Sequence, residues 1–303
     1  MTQPRRLRAA TRSSPLARWQ TEHVAALLAP FGIHVEPVFV ETLGDRTQAL
    51  GTPLHEIGGQ GVFVKEVQAA VLHGLADIAV HSAKDLPSTQ APGLHIAALP
   101  ERGDPRDALI GSTLAGLREG ALVGTGSVRR RAQLAALRPD LRFAELRGNV
   151  GTRLDKAAQF DAIVLAAVPL HRLGVADRIA EVLDPMQMLP MVGQGALAVE
   201  CRDDDAVTTA LLGTIDHATT RVRVTAERAF LAELGSGCDL PVGALAVVEV
   251  DEMAIDGLIA AHDGSVVVRG GRRGPSADAV GIGRALAAEI LAAGGAELLR
   301  GPR

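Results

Sequence analysis

Short apolar runs alternate with amphipathic stretches through the first half of the chain, the pattern of strands joined by crossover helices in mostly parallel sheets. Residues 7–11 predict a strand. Ser13-Ser14-Pro15 then opens a helix, a capping hydroxyl ahead of proline at the first helical position. Leu16, Gln20, Val24 and Leu27/Leu28 share one face of that helix, which runs to about Ala29 and stops at Gly32. The strand at 35–41 contains Pro37, which places it at a sheet edge or on a bulge. A helix is expected near 63–73, after the Gly58-Gly59-Gln60-Gly61 loop. The short apolar strand at 77–80 leads directly into His81-Ser82-Ala83-Lys84-Asp85.

A second unit follows the Gly103-Asp104-Pro105 turn, with strands at 121–123, 142–146 and 162–167 and helices at 128–137 and 152–159. Residues 196–200 predict a strand that returns to the first unit, followed by helices at 204–214 and 219–233. Beyond Gly235-Ser236-Gly237-Cys238 the pattern changes to paired strands at 243–250, 253–261 and 266–269. Asp263-Gly264 is a hairpin turn, and a last helix spans 277–293. The fold class is α/β, two α/β domains and a smaller C-terminal α+β domain. The expected division is 1–100 with 196–216, then 101–195, then 217–303.

Composition narrows the function classes. Charged residues make up 22% and the formal net charge is −4, so no bulk basic field recruits nucleic acid. Aromatics are 2% with no tyrosine, which leaves little to stack on single-stranded bases. No segment reads as apolar for long enough to span a bilayer, and the N-terminus lacks the apolar run of an export signal; a cytoplasmic protein is expected. Two cysteines, Cys201 and Cys238, make no disulfide framework. No His-Glu-x-x-His or Cys-x-x-Cys points to a metal.

One arrangement recurs: strand, small-residue turn, arginine, helix start. It occurs at Thr11-Arg12-Ser13-Ser14, at Gly124-Thr125-Gly126-Ser127-Val128-Arg129-Arg130, and at Arg147-Gly148-Asn149-Val150-Gly151-Thr152-Arg153. A helix N-terminus with an arginine beside it suits a carboxylate, and several such sites imply a ligand with several carboxylates. The same residues also read as ordinary helix caps and solvated arginines. Asp85, after a buried strand, could stabilise a developing cation and move protons, or simply pair with Lys84. Cys238 on its glycine-rich turn is either an accessible nucleophile or an idle surface thiol, whereas Cys201 in an apolar run reads as a small buried hydrophobe.

Taken together, these motifs resemble the porphobilinogen deaminase family. The resemblance is carried by Ala10-Thr11-Arg12-Ser13-Ser14-Pro15, Gly61-Val62-Phe63-Val64-Lys65-Glu66 and Asp77-Ile78-Ala79-Val80-His81-Ser82-Ala83-Lys84-Asp85-Leu86-Pro87. Glu101-Arg102-Gly103-Asp104-Pro105-Arg106-Asp107-Ala108, Leu146-Arg147-Gly148-Asn149-Val150-Gly151-Thr152-Arg153, Val192-Gly193-Gln194-Gly195-Ala196 and the Gly237-Cys238 loop carry it further. It implies two domains like those of periplasmic binding proteins plus a third, in a monomeric enzyme that joins four porphobilinogen molecules and releases hydroxymethylbilane. It also implies a dipyrromethane cofactor on Cys238, with Asp85 as the catalytic carboxylate. Lys84, Ser127, Arg129, Arg130, Arg147 and Arg153 would bind carboxylates of the cofactor and growing chain. Arg12, Ser14, Gln20 and Phe63 would hold the incoming monomer. Gln60, Gly126 and Pro169 depart from the family's usual lysine, hydroxyl residue and glycine. A non-catalytic two-lobed binding protein for a small polycarboxylate is the alternative reading.

Overall fold

The computed structural model describes residues 5–42, 64–235 and 240–299. In chain order, β1 (Arg5–Thr11), α1 (Pro15–Leu28), β2 (Ile33–Phe39), α2 (Lys65–Leu72), β3 (Ile78–Ser82) and β4 (Leu94–Ala98) open the fold. Next come β5 (Asp107–Ile110), β6 (Leu122–Gly124), α3 (Val128–Leu137), β7 (Arg142–Ala144), α4 (Val150–Asp155), β8 (Ala162–Ala166), α5 (Ala167–Arg172) and β9 (Ile179–Val182). The chain continues through β10 (Leu197–Arg202), α6 (Ala206–Leu212), α7 (Ala218–Glu233), β11 (Val242–Glu249), β12 (Glu252–Ala260), β13 (Val267–Pro275) and α8 (Ala279–Ile290). Residues 1–102 and 196–221 form one compact unit, and 103–195 with 222–303 form the other.

The first unit holds a five-stranded sheet in the order β2-β1-β3-β10-β4. Alternate residues serve its two faces, as a pleated strand requires. Leu7, Ala9, Ile78 and Val80 pack with Val24 and Leu28 of α1, while Ala10 and Ala79 pack with Val67 and Val71 of α2. Pro37 sits in the edge strand β2, where its missing N–H costs no ladder bond. Ser14 caps α1 by accepting a hydrogen bond from the Ala17 N–H at 3.3 Å.

The second unit repeats this wiring in the order β7-β6-β8-β5-β9, and adds the antiparallel sheet β11-β12-β13. Phe230 of α7 and Ile282, Leu286 and Ile290 of α8 share that sheet's core with Ile255 and Ile259.

One expectation needs refining and another correcting. The five-stranded sheets are mostly parallel, but each contains one reversed strand: β10 runs antiparallel to β3 and β4, and β5 antiparallel to β8 and β9. Each reversed strand is the first one after the chain passes from one unit to the other, so no crossover helix within its sheet dictates its direction. Moreover, the helical run Ser276–Leu299 is long and apolar enough to cross a membrane. Its apolarity has a local explanation, since Ala279, Ile282, Leu286 and Ile290 are buried in the core of the three-stranded sheet.

Candidate active site

In the first unit the carboxyl ends of the parallel neighbours β1 and β3 lie side by side, the place where open α/β sheets bind ligands. A pocket of about 430 Å³, including its open mouth, sits there. Arg12, Ser14, Leu16, Ala17 and Gln20 line it from the β1–α1 turn and α1. Val64 and Val67 line it from the start of α2, and Val80, His81, Ser82 and Asp85 from β3 and its extension. The free N–H groups and positive dipole end of the 14-residue α1 open onto the same turn, which favours an anion.

Asp85 owes its place to a single 3-10 turn, Ala83–Asp85, that ends β3. The turn is pinned at both sides. Ala83 is buried and its N–H donates to Ala196 O at 3.0 Å, and the buried Leu86 follows, so Lys84 and Asp85 between them stay half-buried. Gln20 Nε2 donates to Ser82 Oγ at 2.8 Å, fixing one wall. The buried lining residue His81 has its Nε2 3.1 Å from Glu200 Oε2, and Gln68 Nε2 donates to Glu200 Oε2 at 2.9 Å. The structure thus gathers Asp85, Arg12, Ser14 and Gln20 around one pocket. Lys84 adjoins it without lining it, and Phe63 lies outside the described residues.

In the second unit the β6–α3 and β7–α4 turns follow another parallel pair. Ser127 caps α3 by accepting from Arg130 N, and Asn149 caps α4 by accepting from Thr152 N at 2.9 Å. Arg129 and Arg130 do not project into solvent; they are 4% and 6% exposed. Both converge on the fully buried Asp107 of β5, Arg129 Nη1 at 2.7 Å from Oδ2 and Arg130 Nη2 at 2.9 Å from Oδ1. Gln194 Nε2 adds a hydrogen bond to Asp107 Oδ1 at 2.9 Å. Burial pushes the Asp107 carboxyl up, but the charges of Arg129 and Arg130 outweigh it and hold it far below the usual carboxylate range. Two guanidinium groups against one carboxylate leave this buried cluster one positive charge in excess.

Arg147 on the β7–α4 turn and Arg153 within α4 are both half-buried. Arg147 Nε donates to Glu145 Oε1 at 2.7 Å, and Arg153 Nε donates to Gly148 O at 2.8 Å. Arg129 Nε and Arg147 Nη1 are buried with no hydrogen-bond partner among the described residues. Orphaned guanidinium donors and excess buried positive charge fit a polycarboxylate such as a dipyrromethane. Cys238 lies outside the described residues. Cys201 is a fully buried free thiol, and burial pushes its pKa up, as expected of a small hydrophobe. Among the described residues no group of His, Cys, Asp and Glu is arranged to hold a metal.

Sequence reasoning overlooked Asp107, Gln194, His81 and Glu200. The first three were in view within the motifs of the resemblance, but neither spacing nor local pattern reveals that Asp107 sits between two arginines or that His81 faces Glu200.

Comparison with known proteins bears on the whole chain. Among solved structures it is similar to the methionine-binding protein MetQ (14% identity, TM-score 0.45, covering 70% of this chain and 90% of that one). The family description "Porphobilinogen deaminase, dipyromethane cofactor binding domain" matches residues 7–210, and "Porphobilinogen deaminase, C-terminal domain" matches 221–292. A porphobilinogen deaminase of Roseiflexus sp. (strain RS-1) is 51% identical, covering 96% of this chain and 97% of its own length. That of Acidothermus cellulolyticus is 48% identical over 98% of this chain and 92% of its own. The family and the curated relatives do not support the alternative of a binding protein without catalysis. Agreement of this extent, reaching across both units, means that the chain belongs to the porphobilinogen deaminase family.

Proposed function

We propose that this chain deaminates porphobilinogen, joins four such units on a covalently held dipyrromethane and releases hydroxymethylbilane by hydrolysis. The observation that carries the reading is the pocket that Asp85 shares with Arg12, Ser14 and Gln20 at the carboxyl ends of β1 and β3. Porphobilinogen brings two carboxylates and an aminomethyl group on an electron-rich pyrrole. Arg12 and the α1 N-terminus take the carboxylates, while Ser14 and Gln20 orient the ring. Asp85 stabilises the positive charge that develops as ammonia leaves, and accepts the proton shed by the newly joined ring. The half-buried setting of Asp85 strengthens both effects relative to water.

The dipyrromethane, when bound, would supply the free α-carbon to which the first ring is joined. Cys238 holds it through a thioether, and Lys84, Ser127, Arg129, Arg130, Arg147 and Arg153 take its carboxylates. The orphaned donors of Arg129 and Arg147 support this assignment. For Arg129 and Arg130 the role is to present the excess charge of a buried cluster rather than an open fork. Phe63, outside the described residues, is assigned to the incoming monomer from the family resemblance. The enzyme works as a cytoplasmic monomer on a small molecule, with the two five-stranded sheets and the C-terminal sheet as three domains. Neither nucleic acid nor a membrane is its partner, in keeping with the net charge of −4.

Asp85→Asn tests the reading. Ammonia release from porphobilinogen should fall by at least about 100-fold, the lower range for losing a general acid–base group, with the melting curve preserved. Near-normal ammonia release by a folded variant would remove Asp85 from the chemistry.

A further inference from the structure

We propose that Glu145 is an internal stand-in for a ligand carboxylate: it holds Arg147 until a carboxylate of the bound pyrroles replaces it, and Gly126 leaves it the room to do so. The proposal rests on the reading of Arg147 as a carboxylate-binding residue. Glu145 and Arg147 flank Leu146, which is buried at 1% exposure and pins the chain just beyond β7. Residues two apart in extended chain project to the same side, so the two side chains meet, with Arg147 Nε 2.7 Å from Glu145 Oε1. The carboxylate comes from the solvent side: Glu145 is 55% exposed and Arg147 34%. Arg147 Nη1, by contrast, is buried without a partner among the described residues. The fork is therefore half filled, by a group that can leave at little cost, because an ion pair this exposed contributes little.

Gly126, one of the positions that depart from the family pattern, explains how Glu145 reaches this spot. A Cβ at residue 126 would stand 2.9 Å from Glu145 Oε1 and 3.0 Å from Leu146 O. Any side chain there crowds the carboxylate away from Arg147. The departure at 126 and the acid at 145 thus form one feature. It keeps a guanidinium neutralised and oriented before loading, and it sets Arg147 in competition with its own neighbour for the ligand.

The test uses the full chain carrying Cys238→Ser, so that no thioether forms, titrated calorimetrically with a soluble dipyrromethane tetracarboxylate. Glu145→Gln should bind it about 2- to 5-fold more tightly, the factor that an exposed ion pair is worth. That gain should vanish when Arg147→Leu is also present. Gly126→Ala should raise affinity in the parent chain and do nothing in the Glu145→Gln background. If Arg147→Leu weakens binding while Glu145→Gln and Gly126→Ala leave it unchanged, the stand-in is overturned and the reading of Arg147 survives. If Arg147→Leu itself leaves binding unchanged, both fall together.

Discussion

Asp107 illustrates how one residue decides what two others can offer. Taking three charges out of water costs several kcal/mol per ion, and only close, well-oriented pairing offsets it. Here Arg130 Nε donates to Asp107 Oδ1 at 3.0 Å and Gln194 Nε2 to the same oxygen at 2.9 Å, while Arg129 Nη1 lies 2.7 Å from Oδ2 as an ion pair. Asp107→Asn would leave two guanidinium groups buried without a counter-charge, and should destabilise the fold by about 3–5 kcal/mol, read by urea unfolding. A loss within the error of such curves would mean that the cluster relaxes or hydrates. The pH dependence has a definite sign. Because the Asp107 carboxyl is held below its unfolded value, its stabilisation is complete above about pH 4 and is lost as pH falls through the folded value. The difference between parent and Asp107→Asn unfolding free energies should therefore stay flat from neutrality down to about pH 5, and shrink only in stronger acid. The sequence displays Arg129 and Arg130 at a helix start, where a side chain ordinarily meets solvent. Their burial depends on a β5 carboxylate whose pairing is set by the sheet, so no local signal carries it.

At the scale of elements, capping and periodicity were legible where the chemistry is local. The Ser13-Ser14-Pro15 start of α1, the edge position of Pro37 and the full extent of α3 follow from residues within a turn of each other. The strand predicted at 266–269 in fact runs on to Pro275, through Gly270-Gly271-Arg272-Arg273-Gly274. Those residues have poor strand propensity and are held by nine-residue pairing with β12, a tertiary effect. β4, β5 and β9 were not among the predicted strands. The β11–β12 hairpin holds a local conflict. Its two-residue turn places Val250 at φ +56°, a conformation suited to glycine, with the side chain 91% exposed and so little packing in return. Val250→Gly should stabilise the protein by roughly 0.5–1 kcal/mol, the left-handed penalty less the added freedom of glycine when unfolded. A lower melting temperature would show that the turn is not strained.

Across the whole molecule, the same winding occurs twice: three strands in parallel pairing, one antiparallel strand that is the first after the chain crosses into the unit from the other, and an edge strand beyond it. The alternation of strands and helices announced α/β units, but not the antiparallel insertions, since direction within a sheet is a property of pairing partners rather than of any one strand. Function was more legible than geometry. The motifs around Asp85 and Arg147 identified the family, while the pairing of Arg129 and Arg130 with Asp107 and of Arg147 with Glu145 required coordinates. The carboxylate-binding role proposed for Arg147 carries its own expectation. Arg147→Leu should reduce the fraction of chains that carry the cofactor, measured by mass, without lowering the melting temperature; full loading would argue that Arg147 is dispensable.

The central claim is that this chain builds its product on two pyrroles anchored at Cys238. Intact mass spectrometry of the purified protein, beside a Cys238→Ser variant and before and after incubation with porphobilinogen, tests it most directly. The account predicts an added mass equal to two linked porphobilinogen-derived pyrroles on the parent chain, absent from the variant. An unmodified parent chain that gains nothing from porphobilinogen, or an adduct that persists without Cys238, would contradict it.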